Sequence, residues 1–169
     1  MAGDKYIYNN GGTLTEKAAI QTSAGAGDAG KIPALDANGK LAANMMPSGF
    51  GADISSIQAS ENLAANDLVN IHNVSGSARV RKADASAAGK EAHGFVLAAV
   101  TSGNNGDVYF EGSNAGLSGL TPGPLFLSTT PGQATSTAPS GAGQVVQRVG
   151  VAVSATALNF EAAQPIVLA

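Results

Sequence analysis

The sequence predicts an all-β protein, with a compact β-barrel or sandwich domain preceded by an extended, glycine-rich N-terminal arm. Short apolar runs are separated by glycine, proline and asparagine turns, as in all-β domains. No stretch has a convincing helical period. Charged residues make up 12% of the chain, and 22 of its 169 residues are glycine. This composition suits close packing in β structure or between subunits more than it suits a solvated monomer.

The arm is predicted to span residues 1–53. Its apolar side chains are isolated between glycines, so it cannot bury much apolar area by itself. We interpret it as a segment that becomes ordered against something else. Within it, Asn38-Gly39 stands between Leu35 and Leu41, which predicts a small hairpin. The stretch EKAAIQ is compatible with one helical turn or a short strand.

The β domain is predicted to span residues 54–169. Turns are indicated at Ser75-Gly76 and Pro122-Gly123. The stretch HGFVLAAV is apolar on both faces, as expected for a strand that is covered on both sides. The predicted strands are 67–71, 78–83, 93–100, 106–112, 123–129, 144–154 and 156–160. In 144–154, one face is expected to hold Val145, Gln147, Val149, Val151 and Val153.

The stretch GAGDAGKIP (25–33) has the glycine spacing of a nucleotide-binding loop. Such a loop needs a following helix, whose N-terminus holds the phosphate. Pro33 and Gly39 prevent a helix of useful length. Ile32 occupies the position where magnesium coordination requires serine or threonine, and Asp28 would place a carboxylate in the anion site. We therefore interpret the stretch as a linker, and no cofactor is expected.

The sequence contains no convincing pattern of metal ligands or catalytic residues. His72 and His93 could share a metal with Asp67 or Glu91 as third ligand, but their spacing matches no metal-site pattern. Asp36–Gly39 lacks the other carboxylates of a calcium loop. No nucleophile elbow or paired-carboxylate arrangement is present. No catalytic and no metal-binding residue is expected, and the protein is predicted not to be an enzyme.

Charge and targeting signals limit the partners. The formal net charge is −3 with no basic block, so nucleic acid is not an expected partner. No apolar run approaches the roughly 20 residues of a membrane span, and no signal peptide is recognised, so no membrane partner is expected. There is no cysteine, which excludes disulfides and leaves the compartment open.

The isolated apolar residues of the arm are the candidate binding residues. For Tyr6-Ile7-Tyr8 and Met45-Met46 the sequence leaves two roles open, since they either cover the base of the β domain or dock onto a partner chain. The predicted partner-binding residues are Tyr6, Ile7, Tyr8, Ile32, Leu35, Leu41, Met45 and Met46.

Three stretches carry a resemblance to a known family. They are residues 4–53, with AGKIPALDANGKLAANMMP inside them, LSGLTPGPLFLSTTPGQAT (117–135) and VVQRVGVAVSATALNF (145–160). On these residues the chain resembles head decoration, capsid cement and head-fibre proteins of tailed bacteriophages.

The resemblance implies a virion structural protein without catalytic residues. It implies a β-barrel decoration domain, commonly trimeric, that binds the major capsid protein on the outer surface of the shell and is assembled in the host cytoplasm. In such a homotrimer we expect Phe95, Leu97 and Ala99 at the subunit interface, where short side chains allow close approach.

Two alternatives remain open from the sequence. The same β module could belong to a tail-fibre or tail-base adaptor. A hydrolase or lectin-like glycan binder is a further alternative, although few aromatic side chains are available to stack on a sugar: Tyr109, Phe126 and Phe50 at most.

Overall fold

The computed structural model describes residues 5–46 and 53–169, and the chain divides into two compact units, Met1–Gly51 and Ala52–Ala169. The predicted all-β class is confirmed, because the described residues form β-strands and no α-helix. Two single-turn 3₁₀ helices, Ala26–Asp28 and Ala43–Met45, lie in the first unit. No helix among the described residues is long and apolar enough to span a membrane.

The first unit begins with a β-hairpin that the sequence analysis did not predict. Strands β1 (Lys5–Asn10) and β2 (Thr13–Ala18) pair in antiparallel register. Gly11 and Gly12 connect them with φ values of +61° and +97°, as tight two-residue hairpin turns require. This segment of the predicted arm therefore folds back on itself as a hairpin, while the extended form of the arm as a whole stays a prediction.

A second turn of the first unit follows the prediction in part. The Gly39 N–H donates to the Asp36 carbonyl at 3.0 Å, and Gly39 has a φ of +72°. The Asp36 carboxylate accepts the N–H groups of Asn38 and Lys40, which lowers its pKa. The turn at Asn38-Gly39 is thus present, but no strands flank it.

The second unit contains two five-stranded antiparallel sheets and a two-stranded ribbon. The first sheet has the order β3-β7-β6-β4-β5, the second has the order β10-β9-β12-β13-β8, and β11 pairs with β14. The strands are β3 (Ile54–Gln58), β4 (Leu68–Val74), β5 (Ser77–Lys82), β6 (Gly94–Val96), β7 (Asn105–Tyr109), β8 (Gly112–Ala115), β9 (Gly123–Leu127), β10 (Ala134–Thr135), β11 (Val145–Val146), β12 (Arg148–Ser154), β13 (Ala157–Phe160) and β14 (Ile166–Val167).

The first sheet contributes side chains to a hydrophobic cluster on each of its faces, and its two edge strands approach each other. On β4, Leu68 contributes to one hydrophobic cluster and the next residue, Val69, contributes to the other. Ala59, directly after β3, forms a parallel bridge with Val80 of β5. The Ser60 N–H donates to the Val80 carbonyl at 2.8 Å. The sheet therefore curves around the cluster that contains Val69.

The larger hydrophobic cluster is shared by both sheets. Leu68 and Phe95 come from the first sheet, whereas Leu125, Leu158 and Phe160 come from the second. Phe160 meets Phe95 edge-on, with 5.5 Å between the ring centroids. The two sheets thus share one core, while the choice between a barrel and a sandwich stays a prediction.

The long predicted strand 144–154 is interrupted. Val145, Gln147 and Val149 are all buried and share one face as predicted, but after Val149 the buried residue is Ala152, and Val151 and Val153 are not buried. The pairing of β12 with β9 shifts register between Arg148 and Gly150, and such a bulge reverses the face that later residues present. The prediction that Val151 and Val153 share one face with Val145, Gln147 and Val149 is therefore wrong.

Candidate functional site

The first unit exposes most of its large apolar side chains. Ala34, with 9% of its surface exposed, is the buried hydrophobic residue of the described part of this unit, whereas Ile7 is 68% exposed. Among the predicted partner-binding residues, Tyr6 and Met45 are half-buried. The exposed apolar side chains of this unit, named the arm anchors here, are Ile7, Tyr8, Leu14, Ile32, Leu35, Leu41 and Met46.

The hairpin arranges its anchors on its two faces. Ile7 pairs with Glu16, whereas Tyr8 pairs with Thr15 and therefore points to the opposite face. The Lys17 ammonium lies 4.6 Å from the centre of the Tyr8 ring, a cation–π contact that restrains this ring. Leu14 is an anchor that the sequence analysis missed, because it was not recognised as part of a strand.

The glycine-rich stretch 25–33 forms a turn stabilised by its own carboxylate. Asp28 accepts the Ala24 N–H at 2.6 Å and forms an ion pair with Lys31 at 2.6 Å. Hydrogen bonds from Lys31 and Ala24 lower the pKa of Asp28. The Asp28 carboxylate thus accepts a backbone N–H group that a bound phosphate would need. The chain then forms a bridge between Ile20 and Pro33 instead of entering a helix.

The predicted subunit-interface residues lie in different environments. The side chain of Phe95 is 1% exposed and stacks on Tyr109, with 5.4 Å between ring centroids. Phe95 therefore belongs to the core and is unavailable to another subunit, which corrects its assignment. Leu97 and Ala99 are exposed, and their place at an interface stays a prediction.

His72 and Ser60 lie close together without the geometry of a catalytic pair. Ser60 Oγ lies 3.5 Å from His72 Nε2 and donates to the Val80 carbonyl at 3.1 Å. His72 Nδ1 is buried and has no hydrogen-bond partner among the described residues. A serine nucleophile needs a histidine that a third group orients through this nitrogen. The pair does not meet this requirement.

The pKa of His72 predicts a pH dependence of stability. Burial and the nearby Arg81 charge lower its pKa from 6.5, so the folded protein binds this proton more weakly than the unfolded chain. The stabilisation is present above pH 6.5 and is lost as the pH falls through the lowered pKa. Urea unfolding measures the free energy of unfolding at about pH 7.5 and about pH 5.5. The difference between these two free energies should be smaller for His72→Gln than for wild type. Ser60→Ala should retain the wild-type difference, and an equally large difference in His72→Gln would contradict the assignment.

The other residues considered for a metal site serve structural roles. His93 Nδ1 accepts the Ile71 N–H at 3.0 Å. Asp67 is buried, accepts the Ala64 N–H at 2.7 Å and pairs with Lys82 at 3.3 Å. Glu91 accepts the Gly89 N–H at 2.9 Å. Across residues 5–46 and 53–169, no three histidine, cysteine or acidic side chains are grouped to hold a metal ion.

A concavity of about 420 Å³ lies on the second unit. It is lined by residues 65–66, by the loop 116–121, by Leu125 and by residues 133–136, and we name it the loop pocket. No lining residue is ionisable. The sequence carries no signal for this pocket, because its lining residues are uncharged and come from separate parts of the chain.

The aromatic side chains considered for sugar stacking do not line the loop pocket. Tyr109 is half-buried against Phe95, and Phe126 is half-buried on β9. Phe50 lies outside the described residues.

The comparisons with known proteins give no relative: no protein-family model, no curated protein and no solved structure matches this chain.

Proposed function

We propose that this chain is a non-enzymatic structural protein of a phage virion, which decorates the outside of the capsid shell and stabilises it. In this proposal the β domain forms a homotrimer, and the first unit reaches over the major capsid protein or a neighbouring subunit. The arm anchors are the contact residues, together with the half-buried Tyr6 and Met45.

The observation that carries the proposal is the contrast within the first unit. It exposes seven large apolar side chains among the described residues and buries Ala34. A segment that buries so little apolar surface gains little free energy from its own core. Removing these side chains from water by contact with another chain would supply the missing stabilisation.

Multivalency strengthens such a contact. Three arms on one trimer convert the second and third contacts into intramolecular events, so modest anchors yield slow dissociation. The β1–β2 hairpin also offers unpaired strand edges, to which a capsid strand can add through backbone hydrogen bonds. Both effects link neighbouring capsid subunits and oppose the pressure of packaged DNA.

We expect a double variant, Ile32→Ser with Leu35→Ser, to bind undecorated heads at least about tenfold more weakly than wild type, since two apolar contacts are lost. Deletion of residues 2–50 should abolish binding. Cosedimentation of the purified protein with heads that lack it measures both effects.

Val153→Ser is the matched control, because Val153 is 62% exposed on the second unit. It should bind heads like wild type. Decoration by the deletion variant at wild-type affinity would contradict the proposed role of the first unit. A low copy number confined to the tail would place the protein in a tail adaptor instead.

A further inference from the structure

The chemistry of the loop pocket is polar and uncharged. Its rim carries amides and hydroxyls, and its remaining surface is made of leucine and small side chains. Asn66, Ser118, Thr121, Gln133 and Ser136 make no side-chain hydrogen bond to another described residue. The pocket therefore presents several uncommitted donors and acceptors within one concavity of ligand size.

Asn66 is held in place at the pocket. It has a positive φ of 70°, a conformation that asparagine tolerates better than most residues. Its N–H donates to the Val96 carbonyl at 2.8 Å, and its carbonyl accepts the amide of the fully buried Asn114 at 3.0 Å. The backbone of Asn66 is thus fixed from both sides, which limits the region that its side-chain amide can reach.

Gly116 allows this arrangement. A Cβ atom on Gly116 would lie 3.1 Å from Asn66 Nδ2, and Gly116 itself has a φ of +95°. Any larger residue would crowd the amide and strain the loop. The loop and the asparagine therefore fit each other in the lining of the pocket.

Leucine side chains supply the apolar part of the pocket. Leu125 is buried in the main core, and Leu117 and Leu120 pack against that core from the loop. The partly exposed Leu117 and Leu120 give an apolar surface against which the C–H face of a sugar ring can pack, whereas Leu125 is 1% exposed and belongs to the core. A neutral sugar also carries hydroxyls, which match the amides and hydroxyls of the rim.

We propose that the loop pocket binds a neutral carbohydrate. Acidic sugars are disfavoured, because no cation lines the pocket to pair with a carboxylate or sulfate. No aromatic ring lines it for stacking, so we expect a dissociation constant on the order of 1 mM for one site. A virion that carries many copies would convert such weak sites into firm attachment to a glycan-coated surface. Sugar binding by a single pocket does not require capsid binding, whereas this multivalent attachment rests on the proposed virion function.

The test uses the full-length protein on an array of neutral and acidic oligosaccharides, followed by titration of ¹⁵N-labelled protein with lactose, maltotriose, chitotriose and sialyllactose. We expect a neutral sugar to bind and to shift the amide signals of residues 65–66, 116–121 and 133–136. Preference for acidic sugars, absence of binding by any neutral sugar, or shifts elsewhere would overturn the proposal.

Two variants test the assigned contacts. Asn66→Gly keeps the positive φ and removes the side-chain amide, whereas Thr121→Val removes a hydroxyl at nearly constant volume. Each should weaken binding of the neutral sugar at least fivefold while the unfolding midpoint of Thr121→Val stays at the wild-type value. Thr101→Val is the matched control outside the pocket and should bind like wild type. Unchanged affinity in both pocket variants would overturn the proposal.

Discussion

Replacing Gly150 by alanine is expected to destabilise the second unit by about 3 kcal/mol or more. Gly150 lies on β12 in the middle of the second sheet, with a φ of +135°. A Cβ atom there would stand 2.0 Å from the Asn159 carbonyl oxygen, which belongs to the paired strand β13 and cannot rotate away. The substitution must therefore separate two strands of the sheet or break their pairing. Thermal unfolding should show a midpoint lower by about 10 °C.

Gly143→Ala is the matched control for this prediction. Gly143 has a φ of +75°, and a Cβ atom there would have no neighbour within 4 Å. The free energy of unfolding of this variant should fall only by the conformational cost of placing alanine at a positive φ, about 1 kcal/mol. If Gly150→Ala were no less stable than Gly143→Ala, the described approach of β12 and β13 would be wrong.

Phe95→Ala is expected to lower the free energy of unfolding by about 3–5 kcal/mol, the usual cost of emptying a buried phenylalanine site. The ring lies between Tyr109 and Phe160, so its loss leaves a cavity where the two sheets share their core. Urea unfolding followed by circular dichroism measures the change, at a protein concentration low enough to exclude association.

Leu97→Ala is the matched control for Phe95→Ala, because it truncates an exposed side chain two residues away from a buried one. Leu97 is 39% exposed, and truncating it should change the free energy of unfolding by less than about 1 kcal/mol. If Phe95→Ala had the wild-type free energy of unfolding but formed a smaller oligomer, Phe95 would instead belong to the subunit interface.

The strands that the sequence predicts best are those with alternating or continuous apolar residues. β9 and β13 lie within their predicted ranges, β5 is shifted by one residue, and β4 continues to Val74 beyond the predicted end at Ile71. The turn at Ser75-Gly76 has the two positive φ values of a tight hairpin. In HGFVLAAV the strand ends at Val96, and residues 97–99 are exposed. Composition alone does not reveal such an end, because the following residues are equally apolar.

The features that the sequence analysis missed depend on tertiary contacts. β8 is composed of Gly112, Ser113, Asn114 and Ala115, which have no apolar pattern, and it is a strand because it pairs with β13. The bulge near Gly150 exists because β9 and β13 fix β12 from both sides. The loop pocket likewise depends on bringing Asn66 next to Gly116, a proximity without local signal.

The closure of the first sheet at β5 has a consequence for solubility at high concentration. The outward carbonyl of Val80 accepts the Ser60 N–H at 2.8 Å, and the outward N–H of Lys82 donates to the Glu61 carboxylate at 2.6 Å. Backbone groups that are already hydrogen-bonded at Val80 and Lys82 offer no template to the β-structure of another molecule. At this end of β5, crowded copies of the protein therefore find no free backbone groups through which to extend the sheet into fibres.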